Sequence, residues 1–223
     1  LANSTHIQVL KVESTQCREE ILPKLIAGKD GNGVVERLLR NPQSQLVELD
    51  LSLIGLQDHH LIALAQSLPT SKVKKIDLYG NRLHSRGVLE FARHIPKMHF
   101  LQEINFYGNP SCLDKFQARD ECGKALLQGV IENTSIIEVG INAIPQQELL
   151  RYRLTLNNLR QKCLILVPHS REEQPITAGL WPLILAKGST HAAGYNRPGY
   201  RERDDYVYFL LQNFPTILSF CTK

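Results

Sequence analysis

Cys163 and His169 are the thiol and imidazole that lie closest together along the 223-residue chain, and they are the two groups a thiol hydrolase would join as nucleophile and base. Cys163 opens the apolar run Cys163-Leu-Ile-Leu-Val167, where a thiol is expected to be buried and inert. His59-His60 fall in a turn ahead of a helical pattern with no third ligand at a metal-binding spacing, so they are expected to form a surface pair. Asp30-Gly-Asn32-Gly33 has the start of a calcium loop, but its glycine stands fourth instead of sixth and no glutamate stands twelfth, which predicts a turn. Gly28-Lys29 lacks the upstream glycine and the following Ser or Thr of a phosphate loop. Neither a catalytic residue nor a metal, cofactor or small-molecule substrate is therefore expected.

A different set of polar residues does recur. Glu48 and Asp50, then Lys75, Asp77 and Tyr79, then Glu103, Asn105 and Tyr107, then Glu138 occupy equivalent places beside apolar residues. Carboxylates next to tyrosines suit recognition more than reaction. Tyrosine adds contact area at little cost in rotamer freedom, and carboxylates select cationic groups.

The elements that would position these residues follow from an internal repeat. Val73-Lys-Lys-Ile76-Asp-Leu78-Tyr-Gly-Asn81-Arg-Leu83 fits the pattern L-x-x-L-x-L-x-x-N-x-L with conservative apolar exchange. Leu101-Gln-Glu-Ile104-Asn-Phe106-Tyr-Gly-Asn109 follows 28 residues later, and Leu46-Val-Glu-Leu49-Asp-Leu51-Ser-Leu-Ile54-Gly-Leu56 precedes by 27. Weaker units begin at Ile7 and Ile136, separated from their neighbours by 39 and 35 residues. Alternating apolar positions predict a short strand with one buried face, and the asparagine can bond backbone groups as the chain turns. One unit alone has nowhere to bury that face, whereas stacked units share a continuous core. Between strands the period changes. Leu61, Leu64, Ala65 and Leu68 lie at i, i+3, i+4 and i+7, as do Val88, Phe91, Ala92 and Ile95, and Pro69 and Pro96 stop both helices at matching places.

A strand, turn and helix in each unit, with Asn81-x-Leu83 and Gly87 four residues on, resemble the ribonuclease-inhibitor type of leucine-rich repeat. The likeness is strong over 46–144 and weaker over 7–45. Glu132-Asn-Thr-Ser135-Ile resembles the loop entering the next strand of that type, and this reading competes with Asn133 as a glycosylation acceptor. Leu154 to Arg160, Gly179 to Ala186 and Tyr206 to Leu211 are similar to the closing segment of leucine-rich-repeat proteins of diatoms and related algae, although Leu159-Arg160 stands where those proteins often carry Gly-Arg. The resemblance implies an α/β architecture: a short, right-handed βα solenoid shaped as a horseshoe, with a parallel sheet on the concave face, helices outside and a C-terminal helical cap. It implies no activity.

Three segments are expected: a degenerate N-terminal repeat over 1–45, repeats over 46–144, and a capping region over 145–223 with a mobile loop at about 188–203. Leu180, Trp181, Ile184, Leu185, Phe209, Leu210 and Phe214 are the residues expected to close the open end of the core. The protein partner is expected on the concave face, at Glu48, Asp50, Lys75, Asp77, Tyr79, Glu103, Asn105, Tyr107 and Glu138, in a scaffold or adaptor role. Tyr79 and Tyr107 would lie one strand apart as an aromatic patch or pack on each other.

The net charge of +4 divides into +1 over 1–45, −1 over 46–144 and +4 over 145–223, so a uniformly basic nucleic-acid surface is not indicated. An alternative is binding of nucleic acid or an anionic surface by the tail, through Arg151, Arg153, Arg160, Lys162, Arg197, Arg201 and Arg203 with interleaved Tyr195, Tyr200 and Tyr206. Glu202, Asp204 and Asp205 in the same stretch oppose it. Five cysteines without paired spacing suggest a reduced, intracellular, cytoplasmic setting. Every apolar run is broken before the length of a membrane span. The start at Leu1 leaves room for a cleaved targeting peptide.

Overall fold

The computed structural model describes residues 6–12, 25–26, 33–109, 116–142 and 144–166. Contacts divide the chain into Leu1–Asn157 and Asn158–Lys223, and the first unit is the one described below. Asp30, Asn32, His169, the loop expected at 188–203, the Trp181 cap and Arg197, Arg201 and Arg203 lie outside the described residues.

Strands and helices alternate: β1 (Val9–Lys11), α1 (Val34–Arg40), β2 (Glu48–Asp50), α2 (Asp58–Ser67), β3 (Lys75–Asp77), α3 (Ser85–His94), β4 (Glu103–Asn105), α4 (Phe116–Glu132), β5 (Glu138–Gly140) and α5 (Gln147–Leu166). The five strands form one parallel sheet in sequence order. Leu10, Leu49, Ile76, Ile104 and Val139 pair across it in a single register. A parallel neighbour requires a crossover, and α1 to α4 lie in the four connections between the strands.

In β2, β3 and β4 the central residue is buried while both flanking residues are at least partly open, so the period-2 pattern sorts side chains onto two faces. Leu51, Leu78 and Phe106 turn inward just after these strands. The predicted helix faces meet them, with Leu61, Leu64, Ala65, Val88, Phe91 and Ala92 all buried. Each fully buried Leu, Val or Phe contributes roughly 1.5–3 kcal/mol by leaving water. Phe91 of α3 meets Phe106 edge to face, with centroids 5.4 Å apart at 87°. Pro69 and Pro96 sit second in the 3-10 turns Leu68–Thr70 and Ile95–Lys97 that end α2 and α3, where proline's fixed φ fits and its missing N–H is harmless.

The repeat asparagines hold the coils together. Asn81 Oδ1 accepts from the backbone amides of Ile54 (3.2 Å) and Leu56 (3.0 Å) in the preceding coil, while its Nδ2 donates to the carbonyls of Leu51 (2.8 Å) and Leu78 (2.9 Å). Asn109 repeats the arrangement one coil later, accepting from the Leu83 amide at 3.2 Å and donating to Leu78 and Phe106 at 2.9 Å. Asn133 Nδ2 donates to the carbonyls of Ile95 (2.6 Å) and Met98 (2.9 Å), and its Oδ1 accepts from the amide and hydroxyl of Ser135. Both ends of that buried amide are thus committed to the fold. Asn157 of α5 bonds the carbonyls of Val130, Asn133 and Ile136, beside the buried Leu150 and Leu154.

Candidate partner-binding face

The side chains flanking each strand's central residue form rows across the sheet. One row runs Val9, Glu48, Lys75, Glu103, Glu138 and the other Lys11, Asp50, Asp77, Asn105, Gly140, because the strands pair in that register. The sequence-predicted residues are therefore brought together. Gly140 ends the second row but is buried, because the Tyr107 ring and the Asn105 side chain cover it.

The two rows differ in what their side chains do. Asp50 Oδ1 accepts from the Ser52 amide at 3.0 Å and the Ser52 hydroxyl at 2.7 Å, Asp77 Oδ1 accepts from the Tyr79 amide at 2.9 Å, and Asn105 Oδ1 from the Tyr107 amide at 3.0 Å. These are three copies of one Asx turn, which bends the chain out of each strand. Asn105 Nδ2 also donates to Asp77 at 3.1 Å, linking adjacent coils. At Asp50, partial burial works to raise the carboxyl pKa, but the Ser52 hydrogen bonds and Lys11 outweigh it and hold the group below its ordinary value.

The other row makes no such turns. Lys75 lies 3.0 Å from Glu103, and that contact, with weaker attraction from Glu48 and Glu138, raises the ammonium above its usual pKa. Lys11 lies 3.8 Å from Asp50. Glu48, Asp50, Asp77, Glu103 and Glu138 set five carboxylates against the two ammonium groups of Lys11 and Lys75, a net charge of −3 on the face.

Tyr79 and Tyr107 are 45% and 43% exposed. Each ring lies over the glycine of the next coil instead of pairing with the other ring. A Cβ on Gly108 would stand 3.0 Å from Tyr79 Cε2, and one on Gly140 2.9 Å from Tyr107 Cδ2. Leu53 extends this series by one coil, since a Cβ on Gly80 would collide with its Cδ2. At 61% exposed, Leu53 is also a non-glycine residue with positive φ, at 58°. It occupies the place held by Gly80 (φ 65°) and Gly108 (φ 72°) in the following coils. Leu53, Tyr79 and Tyr107 thus form an apolar ladder along the ends of the strands. Sequence reasoning missed Leu53 because a leucine in an apolar repeat reads as core, although its alignment with two glycines marks it as unusual.

Chemistry elsewhere is sparse among the described residues. No group of three or more His, Cys, Asp or Glu is placed to hold a metal ion. No described helix is long and apolar enough to cross a membrane. Cys122 is a free, buried thiol whose pKa burial pushes up to about 11, with Glu121 and Asp58 adding to it, which disfavours the thiolate. His60 is buried, in contrast to the surface pair expected, and its ring is tilted 39° to that of His59 with centroids 3.8 Å apart. Its Nδ1 accepts from the Gln57 amide at 3.2 Å, so it caps α2. Arg153, from the alternative basic surface, donates to the Ile131 carbonyl at 3.0 Å.

No protein-family model matches the chain, and no curated protein matches it in sequence. Solved structures do share its fold. The leiomodin-1 actin-binding site 2 superposes with a TM-score of 0.59 at 19% identity, over 74% of this chain and 88% of that one. The tropomodulin C-terminal domain of Caenorhabditis elegans gives 0.56 at 14% identity, over 74% and 92%. At such identities the likeness establishes the architecture of alternating strands and helices and nothing finer.

Proposed function

We propose that the chain is a leucine-rich-repeat solenoid of the ribonuclease-inhibitor type whose sheet lines a concave face, and that this face binds a protein partner in a scaffold or adaptor role without catalysis. The observation that carries the reading is the Leu53, Tyr79 and Tyr107 ladder, a line of exposed apolar side chains on a rigid scaffold beside five carboxylates. Large exposed apolar groups that neither pack into the core nor serve a turn mark interaction surfaces. The leiomodin-1 structure named for actin binding lends general support, since the same architecture there serves a protein partner. An intracellular setting would suit five cysteines without paired spacing.

Affinity capture from native cells, comparing the natural chain with an Asp77→Lys, Tyr79→Ala, Tyr107→Ala variant, tests the proposal once circular dichroism confirms that the variant folds. Loss of specific captured proteins is expected. An unchanged set would sink it.

A further inference from the structure

The open sheet face carries parallel lines of different chemistry. Leu53, Tyr79 and Tyr107 form an apolar line, and the two polar rows run beside it across the same strands. Tyr79 and Tyr107 are equivalent rungs one strand spacing apart, about 4.8 Å, and Leu53 stands one residue past the equivalent rung, in the place of Gly80, so the three side chains span roughly 10 Å. Side chains at i, i+3 or i+4, and i+7 of a helix cover about 10.5 Å and form a single stripe, with further stripes parallel to it. An extended segment laid along the same direction turns alternate side chains away and offers one line only. The arrangement of the face therefore suits a helix lying across the strands.

Charge selects the kind of helix. Both lysines of the rows already lie beside carboxylates, Lys75 near Glu103 and Lys11 near Asp50. Glu48 and Glu138 are exposed, and Asp77 uses Oδ1 for the turn and for Asn105. A second copy of the chain pairing through the same face would set carboxylates against carboxylates, which costs free energy in any symmetric contact. An oppositely charged helix meets no such opposition. Leu53 adds an independent mark. A leucine held at a positive φ is strained, and such strain gathers where function uses the residue.

We propose that this face docks an amphipathic helix rich in lysine or arginine, about two to three turns long. Its apolar stripe rests on Leu53, Tyr79 and Tyr107, and its cations meet Glu48, Asp77 and Glu138. The inference rests on the sheet face being the partner surface and specifies the chemistry of what it takes.

Synthetic peptides test it with the full chain. A labelled 14-residue peptide has leucine at helix-spaced positions and lysine elsewhere, a second has glutamate for every lysine, and a third has the lysine peptide's composition in strict alternation. Fluorescence anisotropy is expected to show binding of the first, weakening with added salt, binding of the third at least about tenfold weaker, and none of the second. Leu53→Ser together with Glu48→Gln and Glu138→Gln removes no side-chain hydrogen bond of the turns and no buried core side chain, and is expected to weaken binding of the first peptide about tenfold or more. Equal binding of the glutamate or the alternating peptide, or equal binding by the triple variant, would overturn the helix proposal. If that happens while capture still depends on Tyr79 and Tyr107, the face takes a partner of other chemistry. If capture is also unchanged, the partner-surface reading falls with it.

Discussion

The coil spanning 46–72 and the coil spanning 73–100 share a strand register and a helix face but solve their turns by opposite means. The later coil bends at Gly80-Asn81, with glycine in the left-handed conformation and asparagine bonding the backbone. The earlier coil has Leu53-Ile54 at the same two places, so it keeps the left-handed φ without glycine and lacks an asparagine of its own. Its Ile54 and Leu56 amides bond Asn81 of the next coil, just as the Leu83 amide of the later coil bonds Asn109. The dependence also runs the other way. The His84 amide at the start of α3 donates to Asp58 Oδ1 of the earlier coil at 2.6 Å, and Gly87 lets that carboxylate approach. The difference teaches that the unit of stability is the pair of coils, and that a departure from the repeat is tolerated at Leu53-Ile54 because each coil's turn amides are held by the asparagine of the next coil and not by its own.

Removing Asn81 should break the comparison most severely. Asn81→Ala leaves the Ile54 and Leu56 amides and the Leu51 carbonyl without their partner, and each buried group left unpaired costs about 1–3 kcal/mol. We expect a loss of about 3–5 kcal/mol in urea unfolding, with amide exchange at Ile54 and Leu56 accelerating more than at any amide of α3.

Acid should separate the helix starts next. Burial, with a smaller contribution from His59, pushes the His60 imidazole down from 6.5 to about 4. The unfolded chain takes up that proton near 6.5 and the folded one only near 4, so stability should fall as pH drops through that window and level off below it. A loss on the order of 2 kcal/mol is expected. The Gln57 amide should lose protection before that of His84, because a protonated ring no longer accepts at Nδ1. His60→Asn should flatten the slope of stability against pH.

The equivalent turn positions should respond with opposite signs. Gly108→Ala places a Cβ at φ 72° and within 3.1 Å of the Gly80 backbone nitrogen, which should cost about 1–2 kcal/mol. Leu53→Gly relieves the left-handed leucine and should stabilise by about 0.5–1 kcal/mol in thermal unfolding while weakening partner binding. A loss of stability on that change would mean that the packing of Leu53 over Gly80 outweighs the strain. The smallest effect is expected at Lys75→Ala, below about 0.5 kcal/mol, since an exposed pair contributes little.

Much of this architecture can be read from one dimension. Alternation around Leu49, Ile76 and Ile104 and the helical spacing of Leu61, Leu64, Val88 and Phe91 are local periodicities, and a period decides which side chains a strand or helix buries. The asparagines were readable for the same reason, because a short amide at a turn has few other uses. Stacking decided the rest. Whether Gly140 faces outward or lies beneath Tyr107, and whether Leu53 belongs to the core or to an exposed ladder, depend on contacts between coils 27 to 33 residues apart. Sequence spacing carries the fold because burial is periodic. It carries the face poorly, because an outward side chain takes its role from the neighbour that stacking sets beside it.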